Sequence, residues 1–433
     1  LPALLVPAGP MQSGLANKDK AAVRERFVRG EASRDELLAA ELAAYHQEGT
    51  CTFYGTANTN QLLMEVMGLH VPGSAFVHPH TPLRAAMTAE AARLLVRNSR
   101  QGQRHLPLGK QIDGRVLVNA MVGLLASGGS TNLTLHLPAI ARAAGYQLLW
   151  EDFAALSKVV PLLARVYPNG AADVNQFQAA GGPAWIIREL LSAGLLHADV
   201  ATVAGDGLAA YSREPWLDAG QLAWRDLPQQ SPALDIVRPL SAPFAAEAGM
   251  CLLSGNLGRA MLKTSAVEPA FWQIRAQARV FDTEAAVHQA YERGELSGDL
   301  VLVVRFQGPQ ANGMPELHKL MPLLVNLQRA GQRVALLTDG RLSGASGQVL
   351  AALHLTPEAA ADGPLARLLD GDWLVIDAEQ GLLTVQLTAA ELAARTPALA
   401  PQALTPGFGL GLFSAQRRLV GPADQGATSL DWG

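Results

Sequence analysis

Four short stretches carry the residue types that could do chemistry. "GTCTFYGTANTNQ", Gly49 to Gln61, holds Cys51, one of two cysteines in the chain, among small and hydroxyl residues. Such a cysteine suits three roles: a core residue, a nucleophile, or one ligand of a metal centre. "ASGGSTN", Ala126 to Asn132, puts two glycines before Ser130, Thr131 and Asn132, ahead of an apolar helical stretch. Backbone N–H groups and the helix dipole at such a place favour an anion, although a plain Gly-containing N-cap has the same composition. In "GPQANGMPELHKLMP", Gly308 to Pro322, Glu316 stands at a predicted helix start. A carboxylate there complements the dipole or ligates a hard cation such as Mg²⁺. "LLTDGRLSGASGQ", Leu336 to Gln348, sets Asp339, Arg341, Ser343 and Ser346 between three glycines. It reads either as a turn or as a ligand loop that lets backbone approach closely.

Two weaker candidates are set aside. His78 and His80 in "HPH" are splayed by Pro79 and by their one-residue spacing. Cys251 in "GMCLLSGNLG" sits among apolar residues and reads as a small buried hydrophobe.

The elements that must position these loops change character along the chain. Residues 18–47 have helical spacing, divided near Gly30 with Ser33 as an N-cap. "NQLLMEVMGL" and "LRAAMTAEAARLLVRNSR" predict two more amphipathic helices around a Pro/Gly-rich loop. Up to about residue 225 the chain reads as helix-dominated with short connecting strands. "WRDLPQQSPALDIVRPLSAPF" is a linker by its Pro and polar content. Beyond it strand signals rise. "DLVLVVRF", a helix ended by Gly331, and "RVALLTDG" form a β–loop–α–β unit, which implies parallel neighbours. "DWLVIDAEQGLLTVQLT" predicts a hairpin turning at Glu379–Gly381. Ligands of open α/β sheets sit at the C-terminal ends of parallel strands, so the Glu316 and Arg341 loops are expected to face one crevice. The expected domains are 1–225, a linker at 226–245, and 246–433.

Composition limits the function. Hydrophobic residues are 49% and charged residues 17% of 433, a globular balance. A net charge of −4 provides no field for nucleic acid. The longest uncharged apolar run, near "VLVNAMVGLLASGG", falls short of a membrane span. Two cysteines exclude a disulfide scaffold and point to a reducing, cytoplasmic setting. The opening "LPALLVPAGPM" lacks the basic region and cleavage site of a signal peptide. It starts without Met in an apolar, strand-like stretch, so the segment is expected to begin inside a domain.

Taken together, "LTDGRLSGAS", "VPAGPM", "GGSTN" with His136 beyond it, "LSGNLGRAMLKTSAV" and "GPQANGMPELHKLMP" resemble the dihydroxy-acid dehydratase and phosphogluconate dehydratase family, in the family's order. The resemblance runs to the tail "GPADQGATSLDWG". "GTCTFYGTANTNQ", "PGSAFVHP" and "YPNGAADVNQFQAAGG" favour the phosphogluconate branch. The resemblance implies an α/β protein with an N-terminal α/β domain, here incomplete, and a β-rich, barrel-like C-terminal domain of swivelling type. It implies a homodimeric lyase of the Entner–Doudoroff pathway that removes water from 6-phospho-D-gluconate, giving 2-keto-3-deoxy-6-phosphogluconate. It further implies an iron–sulfur cluster, [4Fe–4S] or [2Fe–2S], and Mg²⁺. Cys51 matches a cluster ligand, Glu316 a Mg²⁺ ligand and Ser343 the base, with Ser130, Thr131, Asn132 and Arg341 as substrate-binding candidates. The family's Cys-Asp-Lys motif and its further cluster cysteines do not occur here, which points to a partial chain. The alternatives are a dehydratase of another sugar acid or dihydroxy acid, and an inactive anion-binding fragment lacking the cluster.

Overall fold

The structure is a computed structural model, and it describes residues 1–343, 347–401 and 411–430. The chain divides into two compact units. The first comprises Leu1–Val23, Ala32–Leu133 and Ala155–Gly249; the second comprises Arg24–Glu31, Thr134–Ala154 and Met250–Gly433.

The first unit is mainly helical. Helix α1 spans Asn17–Val28 and α2 Arg34–Ala44. The break between them is where Ser33 was expected to cap. Its Oγ accepts the Glu36 N–H at 3.1 Å, and the Glu36 carboxylate accepts the Ser33 N–H at 2.8 Å. This reciprocal box satisfies two orphan donors of α2. Helix α3 (Thr56–Val66) and α4 (Pro82–Arg97) flank the Pro/Gly-rich loop. Helix α5 (Gly114–Ala126) is apolar on nearly every face and correspondingly buried. Gly123 lets it approach α3 closely, since a Cβ there would stand 3.1 Å from Val66 Cγ2. Helix α6 (Leu133–Ala143) leads out of the unit at Thr134, and α7 (Gly182–Ser192) lies in the first unit.

The main strands of this unit form a hairpin absent from the sequence expectation, β1 (Arg213–Asp218) with β2 (Gln221–Asp226). Ala219 and Gly220 turn it with φ of 47° and 83°, the left-handed pair that suits a two-residue hairpin. Residues 227–249 carry no helix or strand. They are bound to the unit by the bridges Leu162–Ala245 and Ala164–Val237.

The second unit is built on a closed barrel of eight strands. These are β3 (Met250–Gly255), β4 (Gly258–Lys263), β5 (Gln273–Phe281), β6 (Leu300–Val304), β7 (Val334–Thr338), β8 (Leu350–Thr356), β9 (Trp373–Asp377) and β10 (Leu382–Val385). Around the barrel the order is β8-β4-β3-β10-β9-β5-β6-β7. Strands β5, β6, β7 and β8 run parallel, and β9–β10 is the expected hairpin. Helix α8 (Glu284–Glu292) follows β5, and α9 (Leu320–Arg329) follows β6. Side chains such as Leu253, Ala278, Val301, Val303, Leu337 and Ile376 fill the interior. On the outer face Leu302, Val304 and Leu336 pack on Val287, Leu323 and Leu327. Strands β6 and β7 are therefore buried on both faces, which is why "LVLVV" and "VALLT" are continuous apolar runs. No helix among the described residues is long and apolar enough to cross a membrane.

Candidate functional site

In the second unit the Glu316 and Arg341 loops meet. Val304 pairs with Thr338 in the parallel β6–β7 register, so both loops leave the barrel at the same end. Glu316 and Arg341 form a parallel bridge, and the Leu317 N–H donates to the Arg341 carbonyl at 3.0 Å. The Arg341 guanidinium donates to Glu316 Oε1 at 2.8 Å and to the Met314 carbonyl at 2.7 Å.

Asp339 holds this arrangement from below. Its carboxylate accepts the backbone N–H groups of Phe306 (3.1 Å), Gln307 (2.8 Å) and Ala359 (3.0 Å). It thereby joins the loops that follow β6, β7 and β8. Asp339 is fully buried, and burial pushes its carboxyl above the usual range against those three donors. Glu358 does the same for the turn Pro309–Asn312, accepting the N–H groups of Gln310 and Ala311. Ser343 is half-buried at the end of the described part of the loop; Ser346 lies outside the described residues.

In the first unit, the Cys51 loop and the Ser130–Asn132 loop are joined. Asn132 Nδ2 donates to Thr56 Oγ1 at 2.8 Å, and Thr56 Oγ1 stands 3.1 Å from Ser130 Oγ. The Ser130 N–H donates to Thr59 Oγ1 at 3.1 Å. Tyr54 OH donates to Ser127 Oγ at 2.8 Å, and burial raises its pKa. Ser130, Thr131 and Asn132 are all buried. The Ser130 hydroxyl also accepts the Asn132 N–H at 3.2 Å, so it acts as a local cap as well as a tie between loops.

Cys51 is half-buried, and its backbone is fixed from both sides. Asn58 Nδ2 donates to the Cys51 carbonyl at 2.7 Å and to the Phe53 carbonyl at 2.6 Å. Gly49, at φ 120°, lies against the "VPAGPM" stretch; a Cβ there would stand 2.5 Å from the Met11 nitrogen. Lys20, buried, lies 3.7 Å from the Phe53 ring centroid and 4.0 Å from that of Tyr45, and donates to the Tyr45 hydroxyl at 2.8 Å. Desolvated cation–π contacts of this kind fasten α1 to the Cys51 loop.

These donors do not by themselves make a metal centre. An iron–sulfur cluster takes about three or four protein ligands, and the chain has two cysteines in all. Among the described residues no three His, Cys, Asp or Glu side chains gather as a ligand set. The Glu316 carboxylate is already engaged by a guanidinium. His80 is exposed, 3.6 Å from Glu48. Cys251 is half-buried on β3, packed against the barrel interior.

Sequence reasoning passed over three buried groups. In sequence Asp339 reads as part of a glycine loop and not as a buried acceptor for the Phe306, Gln307 and Ala359 N–H groups. His354, in β8, carries no motif of its own. Glu65 reads as one charge on an amphipathic helix, yet it is fully buried and accepts the N–H groups of Gly73 (2.9 Å) and Ala75 (2.8 Å).

Comparison with known proteins agrees with this division into a helical and a barrel part. Residues 1–211 match the family model "Dihydroxy-acid/6-phosphogluconate dehydratase N-terminal", and residues 235–427 match the corresponding C-terminal model. The chain is 56% identical to a phosphogluconate dehydratase of Pseudomonas aeruginosa, over 99% of this chain and 71% of that protein. It is 54% identical to the phosphogluconate dehydratase of Escherichia coli K12, over 99% of this chain and 72% of that protein. A dihydroxy-acid dehydratase of Pyrobaculum aerophilum is 32% identical over 99% of this chain and 74% of its own length. With both halves of the chain matched in order, it belongs to the dihydroxy-acid/6-phosphogluconate dehydratase family.

Proposed function

We propose that this chain carries the dehydration of 6-phospho-D-gluconate to 2-keto-3-deoxy-6-phosphogluconate. The observation that carries this reading is the identity gap: 54–56% to phosphogluconate dehydratases against 32% to a dihydroxy-acid dehydratase, over the same 99% of the chain. In this reaction the C2 proton leaves, the C3 hydroxyl departs as water, and the resulting enol becomes the 2-keto acid.

In this reading Ser343 takes the C2 proton. A serine hydroxyl is a weak base unless positive charge favours its alkoxide, and Arg341 in the same loop supplies that charge. In the second unit Arg341 is assigned to an anionic group of the substrate, and in the first unit Ser130, Thr131 and Asn132 are assigned to substrate binding through the backbone N–H groups of their loop. Cys51 and Glu316 enter only as single ligands, one thiolate for an iron–sulfur cluster and one carboxylate for Mg²⁺. When bound, such metals supply Lewis acidity toward a hydroxyl leaving group and a carboxylate. Each needs partners that the described residues do not gather. A homodimer in the cytoplasm accompanies this reading by family likeness.

The test is turnover of 6-phosphogluconate against gluconate and dihydroxyisovalerate. Preference for the phosphorylated acid is expected; preference for dihydroxyisovalerate overturns the substrate. Ser343→Ala should lower kcat by about 10³-fold with substrate affinity retained. The paucity of cysteines favours a second reading, an anion-binding chain without turnover. Calorimetry that shows 6-phosphogluconate binding, with no product formed in the presence of iron, sulfide and Mg²⁺, would select it.

A further inference from the structure

His354 bonds to the Asp339–Ser343 loop through its backbone, while its ring packs on Trp150 and Thr134. It lies in β8, where the pairing with β4 is irregular between Leu353–Met261 and Thr356–Arg259. There, fully buried, it adopts φ 61°, a left-handed conformation uncommon for residues other than glycine. The bulge turns the His354 N–H onto the Gly340 carbonyl at 3.0 Å. The imidazole is packed beside the Trp150 ring, centroids 6.4 Å apart, and Nδ1 stands 3.5 Å from Thr134 Oγ1. Trp150 Nε1 donates to the Thr134 carbonyl at 2.9 Å, so the ring's two neighbours are themselves tied together.

Gly340 has little freedom on its other side, where a Cβ would stand 2.6 Å from Gln307 Cβ. The residue before Arg341 is therefore held by His354 on one side and Gln307 on the other, while Asp339 is fixed by three N–H donors. A bulge beside a ligand loop is a common way to aim a side chain.

We propose that His354 is a positioning residue: its left-handed bulge, wedged by the imidazole against Trp150 and Thr134, fixes the Gly340 carbonyl and so aims Arg341 and Ser343. The proposal rests on the roles given above to Arg341 and Ser343, but its geometric part stands apart from them.

The experiment compares wild type, His354→Ala and His354→Asn by amide hydrogen exchange and by kinetics. Asparagine tolerates the left-handed region and lacks the ring; alanine lacks both advantages. His354→Ala should raise exchange over 339–343 by about tenfold while strand residues 274–280 stay as in wild type. His354→Asn should fall between the two, and it carries the comparison if the alanine variant does not fold. With 6-phosphogluconate, kcat should drop by about 10- to 100-fold as Ser343 loses its aim and KM should rise as Arg341 loses its own, both less for asparagine. Unchanged exchange over 339–343 in both variants, or a rise shared equally with 274–280, overturns the proposal. If the wild type does not turn over 6-phosphogluconate, the functional reading fails and the exchange comparison still decides the role of His354.

Discussion

Arg341 closes the loop that carries Glu316: one guanidinium nitrogen reaches the carboxylate at 2.8 Å and Nε reaches the Met314 carbonyl at 2.7 Å. These are bonds from a planar fork in fixed directions, which a lysine ammonium cannot reproduce. Both side chains are about a third exposed, at 27% and 35%. The pair therefore contributes little to stability, about 1 kcal/mol or less. Arg341→Lys should leave the urea midpoint nearly unchanged and weaken 6-phosphogluconate binding about 10- to 100-fold by calorimetry. A large stability loss with unchanged affinity would make the pair structural only.

Asp339 differs in kind, since its carboxylate is fully buried and serves three backbone donors. Asp339→Asn replaces one acceptor oxygen by an NH₂ that faces N–H groups. The cost expected is about 2–3 kcal/mol, with the loops after β6 and β8 losing exchange protection together. A loss below about 1 kcal/mol in denaturant unfolding would mean that the three N–H groups find other acceptors.

The legible parts of this molecule are those set by local rules. Ser33 announced a helix start, the runs at 300–304 and 334–338 announced parallel strands, and Glu379–Gly381 announced a hairpin turn. From the two strands it followed that the Glu316 and Arg341 loops leave the same barrel end. The β1–β2 hairpin was hidden by Pro215 and by charges at both strand ends, although Ala219–Gly220 is a readable turn. What was not legible is long-range. The attachment of Arg24–Glu31 to the barrel unit depends on Asn326, which accepts from Arg29 and donates to the Glu25 carbonyl across some 300 residues. The left-handed His354 and the triple acceptor Asp339 likewise depend on partners that no spacing rule connects.

The two-cysteine content has a direct chemical consequence. Cys51 is the one sequence candidate for a cluster thiolate, and among the described residues no three His, Cys, Asp or Glu side chains gather as a ligand set. On the second reading, an anion-binding chain without turnover, anaerobic reconstitution of the 433-residue chain should leave iron and sulfide well below one cluster per chain, with Cys51→Ser changing the value little. A full complement of iron and sulfide lost in Cys51→Ser would show that this chain completes a centre.

Glu65 makes a pH dependence predictable. Burial raises its carboxyl pKa from 4.5 to about 7, against the N–H groups of Ala75 and Gly73 and the nearby Arg84 charge. Arg84 in turn donates to the carbonyls of Ser74 and Val77, so the two charges hold the 73–77 loop between them. With its pKa higher folded than unfolded, Glu65 binds more protons in the native state between about pH 4.5 and 7. Stability from this group is therefore greatest at the acid end, falls as pH rises through that window, and is level above it. The fall has a ceiling of about 3 kcal/mol. Glu65→Gln is neutral at every pH and lacks this term. The unfolding free energy of wild type minus that of the variant should therefore decrease by about 2 kcal/mol between pH 5 and pH 8. A difference that stays constant across that range would place the Glu65 pKa near its ordinary value and make the 73–77 loop a site held by a carboxylate charged at both ends of the range.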